Sequence, residues 1–272
     1  MPHTVRWIAR LAIFFLLWPC ALADSGDSAQ PPQKKEWRTG LDNLKSDGIY
    51  LLTFPKRGTR KGVITASAVL GGIAVLIMLD DEIREEVQEA RNDTLDRWEE
   101  RIDPFGDPKT TTLAAGLIYA TGALADSEQA EETGKALMEA LLFTELFKSA
   151  GKKLTGRSPP GAESNASDFF GGDGIFPSGH TARAFAFATV LAERHGKVAA
   201  WVAYPIATLV GLFRIESDSH WASDVLAGAA LGWAVGKAVS RRREERRGRK
   251  VILMPGISPD DGAPGVYLRI SF

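Results

Sequence analysis

Ser178–Arg194 reads SGHTARAFAFATVLAER, a helical segment that opens on a serine N-cap followed by glycine and histidine. Segments of the same kind lie on both sides: Thr110–Leu124 and Gly134–Leu154 before it, Lys197–Phe213 and Trp221–Ser240 after it. Further upstream, Gly62–Leu79 is almost wholly apolar and reads as a buried or spanning helix. Asp81–Ile102 is charged, with Ile83, Val87, Ala90, Leu95, Trp98 and Ile102 mostly at three- and four-residue steps. That is an amphipathic helical region with a break signal at Asn92-Asp93. Asp103–Pro108 is a turn and Thr155–Pro177 a Gly/Pro/Ser-rich loop. With no βαβ alternation and no internal repeat, the class is all-α, a bundle of about six core helices. At the C-terminus Val266, Leu268, Ile270 and Phe272 alternate with Tyr267, Arg269 and Ser271. This predicts a small β-hairpin packed on the bundle, since one hairpin cannot close a barrel.

Composition sets the outer limits. The 272 residues are 44% hydrophobic and 25% charged, which excludes a disordered or collagen-like chain. A net charge of -1 gives no basic signature for nucleic acid. The single cysteine, Cys20, excludes an intramolecular disulfide framework and a Cys-based zinc site. Arg6 and Arg10, the apolar run Leu11–Leu22 and the small-x-small exit Ala21-Leu22-Ala23 predict a signal peptide over 1–23. A polar leader (24–55), the helical domain (56–240) and a basic linker with the hairpin (241–272) complete the expected organisation. Export without disulfides points to a periplasm.

Beyond the signal peptide the histidines are His180, His195 and His220. His195 reads as a helix-end residue. His180 lies in the first turn of a helix whose free N–H groups, behind Ser178 and Gly179, form a ready anion site. It is placed to give a proton to a leaving oxygen. Asp224 lies four residues after His220. On a helix the carboxylate takes the Nδ1 proton, which leaves Nε2 as a nucleophile. Arg214 offers a planar fork for phosphate oxygens. Glu216 and Asp218 read as solvated loop charges. Lys152, Lys153 and Arg157 end a helix, where cations also serve the helix dipole. No carboxylate/histidine metal cluster stands out, and no cofactor is expected.

In order and spacing, these pieces resemble the type 2 phosphatidic acid phosphatase and vanadium-dependent haloperoxidase superfamily. Its pattern is Lys-x6-Arg-Pro, then Pro-Ser-Gly-His, then Ser-Arg-x5-His-x3-Asp. The second element matches at Pro177–His180 and the third at Arg214, His220 and Asp224, with Phe213 in place of the leading serine. The likeness covers roughly Gly134–Ser240. It implies that His220 attacks phosphorus to form a phosphohistidine and that His180 protonates the leaving group. It also implies that Lys152, Ser178, Gly179 and Arg214 hold the phosphate oxygens. The first element departs from the pattern. Counting from Lys152, Pro159 stands where the family has its arginine, and Arg157, two positions earlier, is expected to bend in and serve instead.

The resemblance implies a metal-independent phosphatase acting on a phosphate ester or a lipid phosphate or diphosphate. The alternatives are a non-catalytic phosphate- or lipid-binding protein, made credible by Pro159, and a vanadate-dependent haloperoxidase. Gly62–Leu79 and Val198–Phe213 are apolar enough for short spans, flanked by basic clusters at Lys56–Lys61 and Arg241–Lys250. Glu139, Glu145 and Lys148 fit lipid poorly. The reading favours an exported bundle, soluble or membrane-associated, over an integral one.

Overall fold

The computed structural model describes residues 44–49, 60–161, 165–171, 174–248, 250–257 and 264–271. The signal peptide call on 1–23 and most of the 24–55 leader lie outside them. The helices are α1 (Arg60–Glu89), α2 (Asp93–Ile102), α3 (Pro108–Leu124), α4 (Glu128–Thr155), α5 (Gly179–Glu216) and α6 (Ala222–Gly248), with a 3-10 turn at Asp103–Phe105. The all-α expectation is met.

Local chemistry sets the boundaries. α1 runs through Asp80 to Glu89 without a break, and the chain turns only at Asn92. There the side chain of Asn92 accepts from the N–H groups of Thr94 and Leu95 at 3.0 and 3.2 Å. Asp107 caps α3 the same way, accepting from Lys109 and Thr110 at 3.0 and 3.1 Å. α5 bends at Gly196, whose φ of 77° suits glycine and few other residues.

α5 is the central element. One buried cluster joins Ile83 and Val87 of α1 to Phe185, Tyr204 and Val210 of α5 and to Val225 and Leu226 of α6. A second joins Leu137, Leu141 and Phe143 of α4 to Val190 of α5 and to Val235 and Val239 of α6. Gly228, Gly232 and Gly236 let α6 lie against α5. A Cβ at Gly232 would stand 2.1 Å from the Ala182 carbonyl oxygen.

Two segments read as peripheral belong to the fold. Residues 44–49 of the expected leader are helical, and buried Asp47 pairs with Arg242 and Arg246. The expected basic linker begins as the last turns of α6, where Arg243 also binds Glu132 and Glu139 at 3.0 and 2.7 Å. Glu139 is therefore a paired buried carboxylate. Beyond α6 the backbone of Lys250–Ile257 pairs antiparallel with Pro264–Ser271, Leu253 opposite Leu268. Among the described residues nothing supports the expected packing of this hairpin on the bundle.

α1 and α5 are each long and apolar enough to cross a membrane, with mean hydropathies of 2.3 and 1.7 over their most apolar stretches. None of the α1 stretch is buried in the bundle. Leu70 and Met78 expose 67% and 83% of their surface, and Leu113, Leu117, Leu142, Leu146, Val198, Trp201 and Val202 extend the apolar exterior over α3, α4 and α5. So much apolar surface on one bundle marks an interaction with lipid or protein. Export itself is untouched by these observations.

Candidate active site

The site forms where α5 ends, turns and hands over to α6. Ser219 and His220 both donate their backbone N–H to the Arg214 carbonyl, at 3.1 and 3.0 Å, which folds the turn back on the helix end. His220 precedes α6, and Asp224 lies in the first turn of that helix. Asp224 therefore reaches back over a helix N-terminus rather than along a helical face. Its Oδ2 faces the His220 Nδ1 at 3.3 Å and accepts from the Trp221 N–H at 3.2 Å. Asp224 is fully buried and His220 nearly so. Burial pushes the His220 imidazole below the usual histidine range. Asp224 pulls the other way, and Lys152 and Arg214 add to the lowering.

The α5 N-terminus stands opposite. The Ser178 N–H donates to the Asp224 carbonyl at 3.0 Å, which ties the two motifs together. Ser178 occupies the N-cap position, but its hydroxyl accepts from Thr181 Oγ1 at 3.0 Å instead of capping the helix. His180, in the first turn of α5, has Nε2 3.5 Å from Asp103 Oδ1; burial pushes its imidazole below the usual histidine range, and Asp103 pulls the other way. Arg214 binds Glu99 and, at 2.9 Å, Asp103, while its buried Nε has no partner among the described residues. Lys152 is half-buried at the end of α4. Burial lowers its proton affinity first, followed by the charges of Lys148 and Arg183. The structure thus brings His180, His220, Asp224, Ser178, Gly179, Lys152 and Arg214 near one another.

Arg157 is placed differently from the expectation. It is fully buried against Asp224. Its Nε donates to the Ala166 carbonyl at 2.9 Å, and Nη1 to Ser223 Oγ at 2.6 Å and to Asp224 Oδ1. Nη2 donates to Asp80 Oδ2 at 2.8 Å and to the Ala166 carbonyl. All five guanidinium N–H groups are used, so none remains for a phosphate. Phe169 and Trp221 flank the head group at 5.0 and 5.5 Å from their ring centres. Arg157 is corrected from a phosphate ligand to a support for Asp224. Asp80, missed in the sequence, completes that support, accepting also from the Ser223 N–H at 3.0 Å. Glu216 and Asp218 are also not solvated charges. Glu216 is buried near Arg91, and Asp218 is clamped by Arg84 at 2.6 and 2.7 Å.

An oriented histidine, a second histidine at a helix start and flanking cations thus gather at one end of the helical bundle. Residues 134–247 match the model of the PAP2 superfamily. The lipid A 1-phosphatase of Porphyromonas gingivalis is 40% identical over 108 residues, which is 38% of this chain and 21% of that protein. The chain thus spans about a fifth of that relative's length. The crystal structure of Aquifex aeolicus LpxE is similar to 60% of this chain and 95% of its own, with a TM-score of 0.50 and 24% identity. The transmembrane PAP2-type phosphatidylglycerolphosphate phosphatase of Bacillus subtilis aligns over 75% of this chain and 96% of its own, with a TM-score of 0.51 and 20% identity. These two likenesses support the fold.

Proposed function

We propose that the protein is a membrane-associated lipid-phosphate hydrolase that works through a phosphohistidine. The observation that carries this reading is the buried His220–Asp224 pair at 3.3 Å, with His180, Arg214 and Lys152 near it. Asp224 holds the Nδ1 proton, so the Nε2 lone pair of His220 attacks phosphorus. As the N–P bond forms, the bond from phosphorus to the ester oxygen breaks, and His180 gives that oxygen its proton. Water then attacks the phosphohistidine, His180 takes the water proton back, and inorganic phosphate leaves with His220 regenerated. Lys152, Arg214 and the N–H groups behind Ser178 and Gly179 neutralise the charge on the equatorial oxygens, so the scheme calls on no metal. Arg214 exchanges Glu99 and Asp103 for phosphate as substrate enters.

A lipid substrate is supported by the apolar exterior and by the names of the relatives, a lipid A 1-phosphatase and a phosphatidylglycerolphosphate phosphatase. Membrane association at a periplasmic face suits the same surface. The test is phosphate release from a lipid phosphate monoester by the full chain in detergent micelles. Activity is expected to survive EDTA and to be inhibited by vanadate, which imitates five-coordinate phosphorus. Pro159 keeps a second reading in play, a protein that binds phosphate without turning it over. Tight vanadate binding with no phosphate release would establish that reading instead.

A further inference from the structure

Resting on the hydrolase reading and extending it to substrate class, we propose that Arg183 and Lys148 form the second half of the phosphate cradle, opposite Arg214, and select a dianionic terminal phosphate. The placement centres on Gly179. A Cβ there would stand 2.8 Å from Lys148 Cδ and 3.3 and 3.7 Å from Arg183 Nη1 and Nη2. These two cations therefore flank the backbone at the start of α5. Arg183 is nearly buried one turn beyond. Its Nε donates to the Gly106 carbonyl at 2.8 Å and its Nη1 to Glu145 at 3.1 Å. Nη2 has no hydrogen bond among the described residues. Lys148 shares the same Glu145 carboxylate.

Three cations converge at this corner. Lys148, Lys152 and Arg183 lie near enough together that the first and last lower the proton affinity of the second. The carboxylate that bridges two of them, Glu145, is about half exposed and free to swing away. Glu145, Asp103 and Asp107 act on Arg183, and a doubly charged phosphate competes with these carboxylates for the cations better than a singly charged diester. This corner also supplies what the other side lacks. Position 159 holds a proline, and every donor of Arg157 is spent on Asp80, Ser223, Asp224 and Ala166.

The experiment measures inorganic phosphate as a competitive ligand, by equilibrium binding and by inhibition, for the full chain in detergent. The variants are Lys148→Met, Arg183→Met and Glu145→Gln. Phosphate affinity in the wild type is expected to rise with pH as the ligand gains its second charge, near pH 6 to 7, roughly as for a phosphomonoester. Lys148→Met and Arg183→Met should each weaken binding about ten- to hundredfold and flatten that rise. Glu145→Gln should tighten binding. Lys148→Met removes no contact to the Gly106 carbonyl, so it decides the matter if Arg183→Met fails to fold. Unchanged affinity and an unchanged pH slope in a folded Lys148→Met would overturn the proposal, whatever the wild type hydrolyses. If phosphate binds as described but no ester is cleaved, the hydrolase reading fails and the cradle stands.

Discussion

The two sides of Asp224 use the same residue types for opposite ends. Behind it, Arg157 is fully buried, all its N–H groups are satisfied, and Asp80, Ser223 and Ala166 share the load. In front of it, Arg214 leans on Glu99 and Asp103, both partly exposed, and keeps a buried Nε without a partner among the described residues. An arginine whose donors are used up is a strut. One held by partly exposed carboxylates can exchange them for a ligand. Donor accounting, rather than proximity to the nucleophile, separates support from binding.

Variants test this division, beginning with the largest effect. Arg157→Ala strands the buried Asp80 and Asp224 carboxylates and should cost about 3–5 kcal/mol of stability, seen as a large fall in Tm together with activity. A variant that melts like wild type yet loses turnover would move Arg157 to the site. Asp224→Asn cannot orient His220 as a carboxylate does, so kcat should fall by roughly two to four orders of magnitude, measured on protein confirmed as folded by circular dichroism. Arg214→Lys keeps the charge but loses the fork. It should lower kcat/KM about tenfold or more with Tm nearly unchanged, the reverse of the Arg157 result.

The smallest effect is the acid limb. Because the folded His220 titrates below its ordinary value, it stays neutral and nucleophilic through the usual histidine range. Turnover should therefore hold as pH falls through about 6.5 and drop only at lower pH. The same depression means that the unfolded chain binds more protons, so stability contributed by neutral His220 begins to fall as pH drops below that value. A kcat profile that already collapses near neutrality would contradict the buried placement of His220.

Much of this division could not be read from the chain. The helical class and the motif residues around His180, Arg214 and His220 were legible because helix starts, fixed spacings and apolar periodicity are local. Arg157 was not, because a long side chain reaches either way and its deciding partner, Asp80, lies 77 positions upstream. Glu99, Asp103 and Arg183 were hidden for a related reason. On an amphipathic or helical stretch, a charge that meets the site looks like one that meets water. Asp218 likewise reads as loop polarity until Arg84 of α1 closes on it.

The most direct test of the account traps the covalent intermediate. Lipid phosphate labelled with radioactive phosphorus is mixed with the full chain, quenched rapidly, and the labelled peptide identified. The account predicts an acid-labile, base-stable label on His220, absent from His220→Ala. Turnover with a label on another residue, or a labelled and active His220→Ala, would contradict it.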